Sequence, residues 1–176
     1  MSGYFEARDV KSSPVIRQIF ISAGHNFFGR HGQVANTHGM TGLTAVWCRA
    51  GWGLAGDRFY GYRPDYNGQV TFFSWEVVEA ARREFNCPEL GAEVFRRNVI
   101  VEGCELNALV ATRFTLGGLE FAGISEARPC HWMNTVVAPG AEAWLKGRGG
   151  LRAKILTDGE LRCGPTALIA PDLLPW

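Results

Sequence analysis

Arg113-Phe114-Thr115-Leu116-Gly117-Gly118-Leu119-Glu120-Phe121-Ala122-Gly123-Ile124 reads as two short strands folded back on each other. Gly117-Gly118 is a two-residue hairpin signal, because both central positions of such a turn favour positive φ, where glycine has no Cβ to clash. A second hairpin is expected around Asp158-Gly159, between strands at residues 151–156 and 160–163. Apolar, β-branched stretches give further strands at residues 15–21, 43–48, 69–73 and 99–101. Helical signals are fewer. Residues 75–85 form the principal helix, with Ser74 as N-cap, Glu76 in the first turn, and Val78, Ala81 and Phe85 on one stripe. A short helix over residues 141–146 follows Pro139 and stops at Gly147. Strands do not alternate with long helices, which excludes a doubly wound parallel sheet. The expected fold is mainly β with some α: a β-barrel with one principal helix and short helical decorations.

The 176 residues are enough for one domain with a substantial core, expected over residues 16–176 after an amino-terminal tail at 1–15. Hydrophobic content of 47% and charged content of 20% are globular values. A net charge of +1 gives no reason to expect nucleic acid or an anionic membrane as the main partner. The amino terminus lacks an apolar signal core, and no stretch reaches membrane-spanning length. Five cysteines, an odd count without a Cys-x-x-Cys pair, fit a reducing compartment rather than a disulfide framework. The expected location is the cytoplasm.

Two familiar motifs fail on their context. Gly51-Trp52-Gly53-Leu54-Ala55-Gly56 satisfies the dinucleotide-binding pattern, yet it runs into Asp57-Arg58-Phe59-Tyr60-Gly61, with no helix to hold a pyrophosphate. His25, His31 and His38 share one loop, but their spacing lacks the tight ligand pairs of a zinc site, so they read as turn and surface histidines.

Cys130 stands apart from the other cysteines. It lies in Ala127-Arg128-Pro129-Cys130-His131-Trp132-Met133, with a cation two residues before it and an imidazole after it. Positive charge favours a thiolate, persulfide or metal-ligating sulfur. Pro129 biases Arg128 toward extended geometry, which would project Arg128 and Cys130 to the same side and His131 to the other. Cys130 and His131 therefore make a poor catalytic dyad. Cys48, Cys87, Cys104 and Cys163 lack this setting and read as packing thiols. Arginines recur in Arg96-Arg97-Asn98 and in Gly147-Arg148-Gly149-Gly150-Leu151-Arg152, where guanidinium forks and bare glycine amides suit phosphate.

In order, these segments resemble the MOSC domain, named for the carboxy-terminal part of molybdenum cofactor sulfurase. The matching stations are Gly53-Leu54-Ala55-Gly56-Asp57-Arg58, residues 68–76, Phe95-Arg96-Arg97-Asn98-Val99-Ile100-Val101, Gly103 with Leu106-Asn107, Arg128-Pro129-Cys130, and residues 147–156. The resemblance spans about residues 16–170. It implies a β-barrel that handles the molybdenum cofactor (molybdopterin, a pterin dithiolene bearing a phosphate). By the same resemblance Cys130 is a sulfur carrier or a molybdenum ligand, Arg96, Arg97 and Asn98 contact the pterin or phosphate, and Arg128 holds anionic charge. Arg58, His131, Arg148 and Arg152 complete the expected cofactor-binding set. Three activities stay open: a sulfur carrier or transferase in cofactor sulfuration, a molybdenum-dependent reductase of N-hydroxylated compounds, and a non-catalytic cofactor-binding or delivery module. No desulfurase domain and no lysine context for pyridoxal phosphate accompany these stations. A separate cysteine desulfurase, carrying the pyridoxal phosphate, or a redox partner is therefore expected, with a molybdoenzyme as possible acceptor.

Overall fold

The computed structural model describes residues 10–28, 30 and 32–170. Its strands are β1 (Val10–Ser12), β2 (Val15–Ile21), β3 (Thr41–Leu43), β4 (Ala45–Arg49), β5 (Gly53–Leu54), β6 (Val70–Ser74), β7 (Val99–Glu102), β8 (Arg113–Leu116), β9 (Leu119–Glu126), β10 (Leu151–Ile155), β11 (Gly159–Arg162), β12 (Gly164–Pro165) and β13 (Leu168–Ala170). The α-helices are α1 (Trp75–Glu84), α2 (Met133–Val136) and α3 (Ala141–Leu145), and single 3-10 turns occupy Ala92–Phe95 and Leu106–Leu109. The fold is mainly β, as the hairpin reading predicts.

One mixed sheet of ten strands runs β1-β13-β8-β9-β10-β6-β7-β2-β12, with β3 also on β2, and a three-stranded sheet runs β11-β4-β5. The β8–β9 hairpin forms as expected, with Leu116 opposite Leu119 across Gly117-Gly118, both at positive φ. β6 and β7 are a parallel pair. Residues 10–16 lie beside 164–170 as one antiparallel ribbon: Val10 pairs with Ala170, Ser12 with Leu168 and Ile16 with Gly164, and Thr166 N donates to Pro14 O. This ribbon links the two ends of the strand path. The expected tail at residues 1–15 is corrected to that extent, because its described part supplies β1; residues 1–9 and His31 lie outside the described residues.

The second expected hairpin does not form. β10 pairs with β9 and β6, whereas β11 crosses to β4, with Gly159 opposite Cys48. Asp158 is occupied elsewhere, its Oδ1 accepting from Ala50 N at 2.7 Å. The turn chemistry was local, but the pairing was decided by a strand more than a hundred residues away. The strand expected over residues 43–48 likewise divides into β3 and β4, which join different sheets.

Alternation along the central strands builds a core on each face. Ile19, Phe72, Val99 and Val101 enter one cluster with Phe114, Phe121 and Leu151; Phe20, Phe73 and Ile100 enter another with Val78, Ala81, Phe95 and Leu145. Successive strand residues point to opposite faces, so the continuous apolar run at β7 signals burial on both sides. Each fully buried Phe contributes about 1.5–3 kcal/mol. Ser74 caps α1 as expected, its Oγ accepting from Val77 N.

Candidate functional site

The Cys130 segment leaves the sheet at the end of β9 and is held from two sides. Ala127 N donates to Gly150 O at 2.7 Å, and Ala127 O accepts from Arg97 Nη2. Arg97 Nε reaches Gly149 O at 2.9 Å and its Nη1 reaches Phe95 O at 3.3 Å, so this guanidinium ties the 147–150 loop to the chain before Cys130. Gly149 packs so closely that an added Cβ would overlap Ala127 O and lie 3.0 Å from Pro129 Cδ. After Pro129 the chain turns, and Cys130 O accepts from Met133 N at the start of α2.

Cys130 opens onto a cleft of about 160 Å³ whose lining includes Arg58, Arg96, Arg97 and Arg152, with no carboxylate among the described residues that line it. The segment after β5 brings Arg58 and Phe59, and the 3-10 turn before β7 ends at Arg96. Arg96 adopts φ 53° there, and its guanidinium donates to His38 O, Ser22 Oγ and Gly24 O, holding the 22–40 loop against the sheet. That loop contributes His25, Asn26, Phe27 and Phe28, and Phe27 packs tilted against Trp132, near Cys130 in sequence, with ring centroids 4.7 Å apart. Phe59 and Tyr66 stack at 5.2 Å on the same lining.

The electrostatics show crowded positive charge. Burial pulls Arg96 down to about 10, the neighbouring Arg58 adds to this, and Asp57 opposes it. Burial also pulls Arg97 down to about 10, reinforced by Arg152 and opposed by Cys130 and Glu126. His25 is lowered by burial and then by Arg58. An anion in the cleft would relieve this repulsion.

Of the five cysteines, Cys130 alone is exposed. Burial pushes the Cys48 and Cys104 thiols up to about 12 and raises Cys163.

Five of the expected site residues come together here: Cys130, Arg58, Arg96, Arg97 and Arg152. Four others do not line the cleft. Asn98 is buried, its Oδ1 accepting from Thr71 N and Oγ1 and its Nδ2 donating to Phe20 O and Asp57 Oδ2, so its amide braces the sheet. Arg128 is exposed, because the segment is not a strand and the expected alternation ends at the turn. His131 is exposed and lies against Trp132. Arg148 sits over Trp144 at 4.6 Å, on a different cleft. The glycine amides expected to bind phosphate are already engaged: Gly147 N and Gly149 N both donate to Glu126 Oε1. Asn26, Phe27 and Tyr66 carried no recognisable signal and His25 read only as a turn or surface histidine, since irregular loops, before β3 and before β6, deliver them.

The MOSC domain matches residues 50–167, more than half of the chain. The chain belongs to the MOSC domain family. MOSC domains are associated with molybdenum cofactor proteins. No curated protein matches the sequence. Among solved structures, this MOSC domain is similar to the YuaD protein from Bacillus subtilis, at 16% identity and TM-score 0.75, covering 94% of this chain and 100% of that one. It is also similar to YiiM from Escherichia coli, at 17% identity and TM-score 0.62, covering 89% of this chain and 69% of that one. YiiM from Geobacillus stearothermophilus aligns at 13% identity and TM-score 0.64, covering 89% and 74%. At such identities the likeness concerns the fold. Among the described residues, no helix is long and apolar enough to cross a membrane.

Proposed function

We propose that this MOSC domain handles the molybdenum cofactor as a sulfur carrier, with Cys130 bearing the transferable sulfur. One observation carries the reading: the single exposed cysteine opens onto a cleft lined by four arginines and free of carboxylates among its described residues. The residues suit the group. Arg58, Arg96, Arg97 and Arg152 match a phosphate-bearing end, the rings of Phe27, Phe59 and Tyr66 give an aromatic lining suited to a planar ring, and Cys130 supplies a soft sulfur. A cavity near 150 Å³ holds about one benzene ring, so the enclosed part takes one end of the cofactor and the rest would extend toward the open side. When bound, the cofactor supplies a molybdenum centre that accepts soft sulfur donors.

The chain's own chemistry is a thiol–persulfide exchange. The Cys130 thiolate attacks the terminal sulfur of a persulfide on a partner cysteine. The partner's S–S bond breaks, its cysteine leaves as a thiolate, and a persulfide remains on Cys130. No external oxidant or reductant is consumed. The donor is a separate cysteine desulfurase that carries its own pyridoxal phosphate, and a molybdoenzyme is the eventual acceptor. Exposure of Cys130 favours this role over that of a permanent metal ligand, because a partner must reach the sulfur.

The test is incubation of the full chain with a cysteine desulfurase and L-cysteine, followed by intact and peptide mass spectrometry. Added sulfur mapped to Cys130, absent from Cys130→Ala, supports the reading. Sulfur on another cysteine, or none on Cys130, sinks it.

A further inference from the structure

Two buried side-chain oxygens lack a hydrogen-bond partner among the described residues, Gln18 Oε1 and Asn26 Oδ1. Gln18 lies on β2 and is not part of the cleft lining, whereas Asn26 lines the cleft beside Cys130 and the arginines. A buried acceptor without a donor costs free energy, and such groups are rare enough in native proteins to require a reason. The backbone does not supply one. Asn26 O accepts from Asn36 N at 2.9 Å, a main-chain bond that any residue at this position would offer.

The surroundings indicate what is missing. The charged lining groups are all cations, and Arg96 and Arg97 already spend donors on fixed protein partners. Aromatic rings share the lining with Asn26, at Phe27, Phe59 and Tyr66. The cleft therefore combines anion recognition, stacking surface and one acceptor in need of a donor. The Arg96 bonds to Ser22 and Gly24 and the Phe27–Trp132 contact hold the loop that presents it.

We propose that Asn26 is a specificity-determining residue, its Oδ1 accepting a hydrogen bond from an exocyclic amino group of a planar, anionic heterocycle whose acidic end meets the arginines. This rests on the cofactor-handling reading and identifies the part of the cofactor that Asn26 reads. The 2-amino group of a pterin is a donor of this kind. A site that pairs with such a donor rejects the analogue lacking it far more strongly than an apolar contact does.

The experiment titrates the full chain by calorimetry with pterin-6-carboxylate, with lumazine-6-carboxylate, in which oxygen replaces the 2-amino group, and with inorganic phosphate. The wild-type chain is expected to prefer the pterin by about tenfold, the loss of one hydrogen bond. Asn26→Leu should abolish that preference and weaken pterin binding about tenfold while leaving phosphate affinity unchanged. It should melt no lower than wild type, because an unsatisfied buried oxygen has been removed. Asn26→Asp keeps an acceptor and should retain the preference. Equal pterin affinity in wild type and Asn26→Leu, or no preference for pterin in wild type, overturns the role of Asn26, while phosphate binding leaves the cleft reading standing. A wild-type chain that binds neither pterin nor phosphate overturns both.

Discussion

Two clefts differ in size, and the smaller is the proposed site; the 147–150 loop lines the larger and braces the segment that carries Cys130. The larger encloses about 650 Å³ and is lined by Glu76, Cys104, Glu105, Asn107, Arg148 and Gly150 among others. Its groups are committed to structure. Glu76 accepts from Gly103 N and Ser74 Oγ, each at 2.7 Å, and Asn107 Nδ2 donates to Gly147 O. Its cysteine is half-buried, with burial and then Glu105 and Glu76 pushing the thiol up to about 12. The Cys130 cleft has a quarter of the space, yet it combines an exposed thiol, an excess of positive charge and an acceptor unpaired among the described residues. An exposed thiol beside clustered positive charge, rather than volume, distinguishes the proposed site from the groove.

The largest contrast is in thiol reactivity. Cys130→Ser should remove nearly all iodoacetamide labelling at neutral pH, whereas Cys104→Ser should leave it unchanged. Residue-resolved labelling rates check this, and fast labelling at Cys104 would reverse the ranking of the clefts.

Next in size is the 147–150 loop. Gly149→Ala places a methyl group against Ala127 O and Pro129, so it should cost about 1–3 kcal/mol and alter the Cys130 labelling rate as well. Chemical denaturation paired with labelling measures both. A variant of normal stability and reactivity would show that the loop does not position Cys130.

The arginines sharpen the contrast further. Arg152 is exposed on the Cys130 cleft and Arg148 is exposed on the other. Arg152→Ala should weaken phosphate binding by about 1.5 kcal/mol, the lower end for a charged hydrogen bond, with little change in melting temperature. Arg148→Ala should leave phosphate affinity alone and lose about 0.5–1 kcal/mol of stacking on Trp144. Calorimetry on the two variants decides between them.

Much of this was legible in the sequence, and the failures have physical causes. The Gly117-Gly118 hairpin was readable because turn and pairing are both local. Asp158-Gly159 looked the same but led to β4, a contact that no short-range pattern encodes. At the site, Cys130 and the arginines at 96, 97 and 152 were read from residue chemistry, whereas Arg58 came with the family resemblance. Arg128 does not line the cleft, and its segment lies past the end of β9, where strand alternation no longer applies. The glycine loop was read as an anion nest, and it is one, but its anion is Glu126 from the same chain. Asn98 belongs to the matching motif yet serves the sheet.

The smallest expected effect is on pH dependence, and it separates the clefts again. His25 is held below its ordinary 6.5 by burial and Arg58, so the unfolded chain takes up this proton first. Its contribution is complete above 6.5 and declines as pH falls below it. For Glu76, burial raises the carboxyl, but the bonds from Gly103 N and Ser74 Oγ outweigh it and the net shift is downward from 4.5. Its contribution persists above 4.5 and is lost only in more acidic solution. Melting temperatures of His25→Gln and Glu76→Gln across pH should flatten in these two separate windows. Flattening in the same window would mean that the clefts do not titrate independently.

The ribbon of residues 10–16 with 164–170 has a mechanical consequence. Val10 and Ala170 are partners at its outer end, so tension applied through the two flanking segments would open the pairs one after another, like a zipper. Load never falls on all the rungs together as it does when strands are sheared. A protein tethered through both of these segments would therefore yield first at the ribbon that links the two ends of the strand path, at low force, with the β8–β9–β10 ladder behind it still intact.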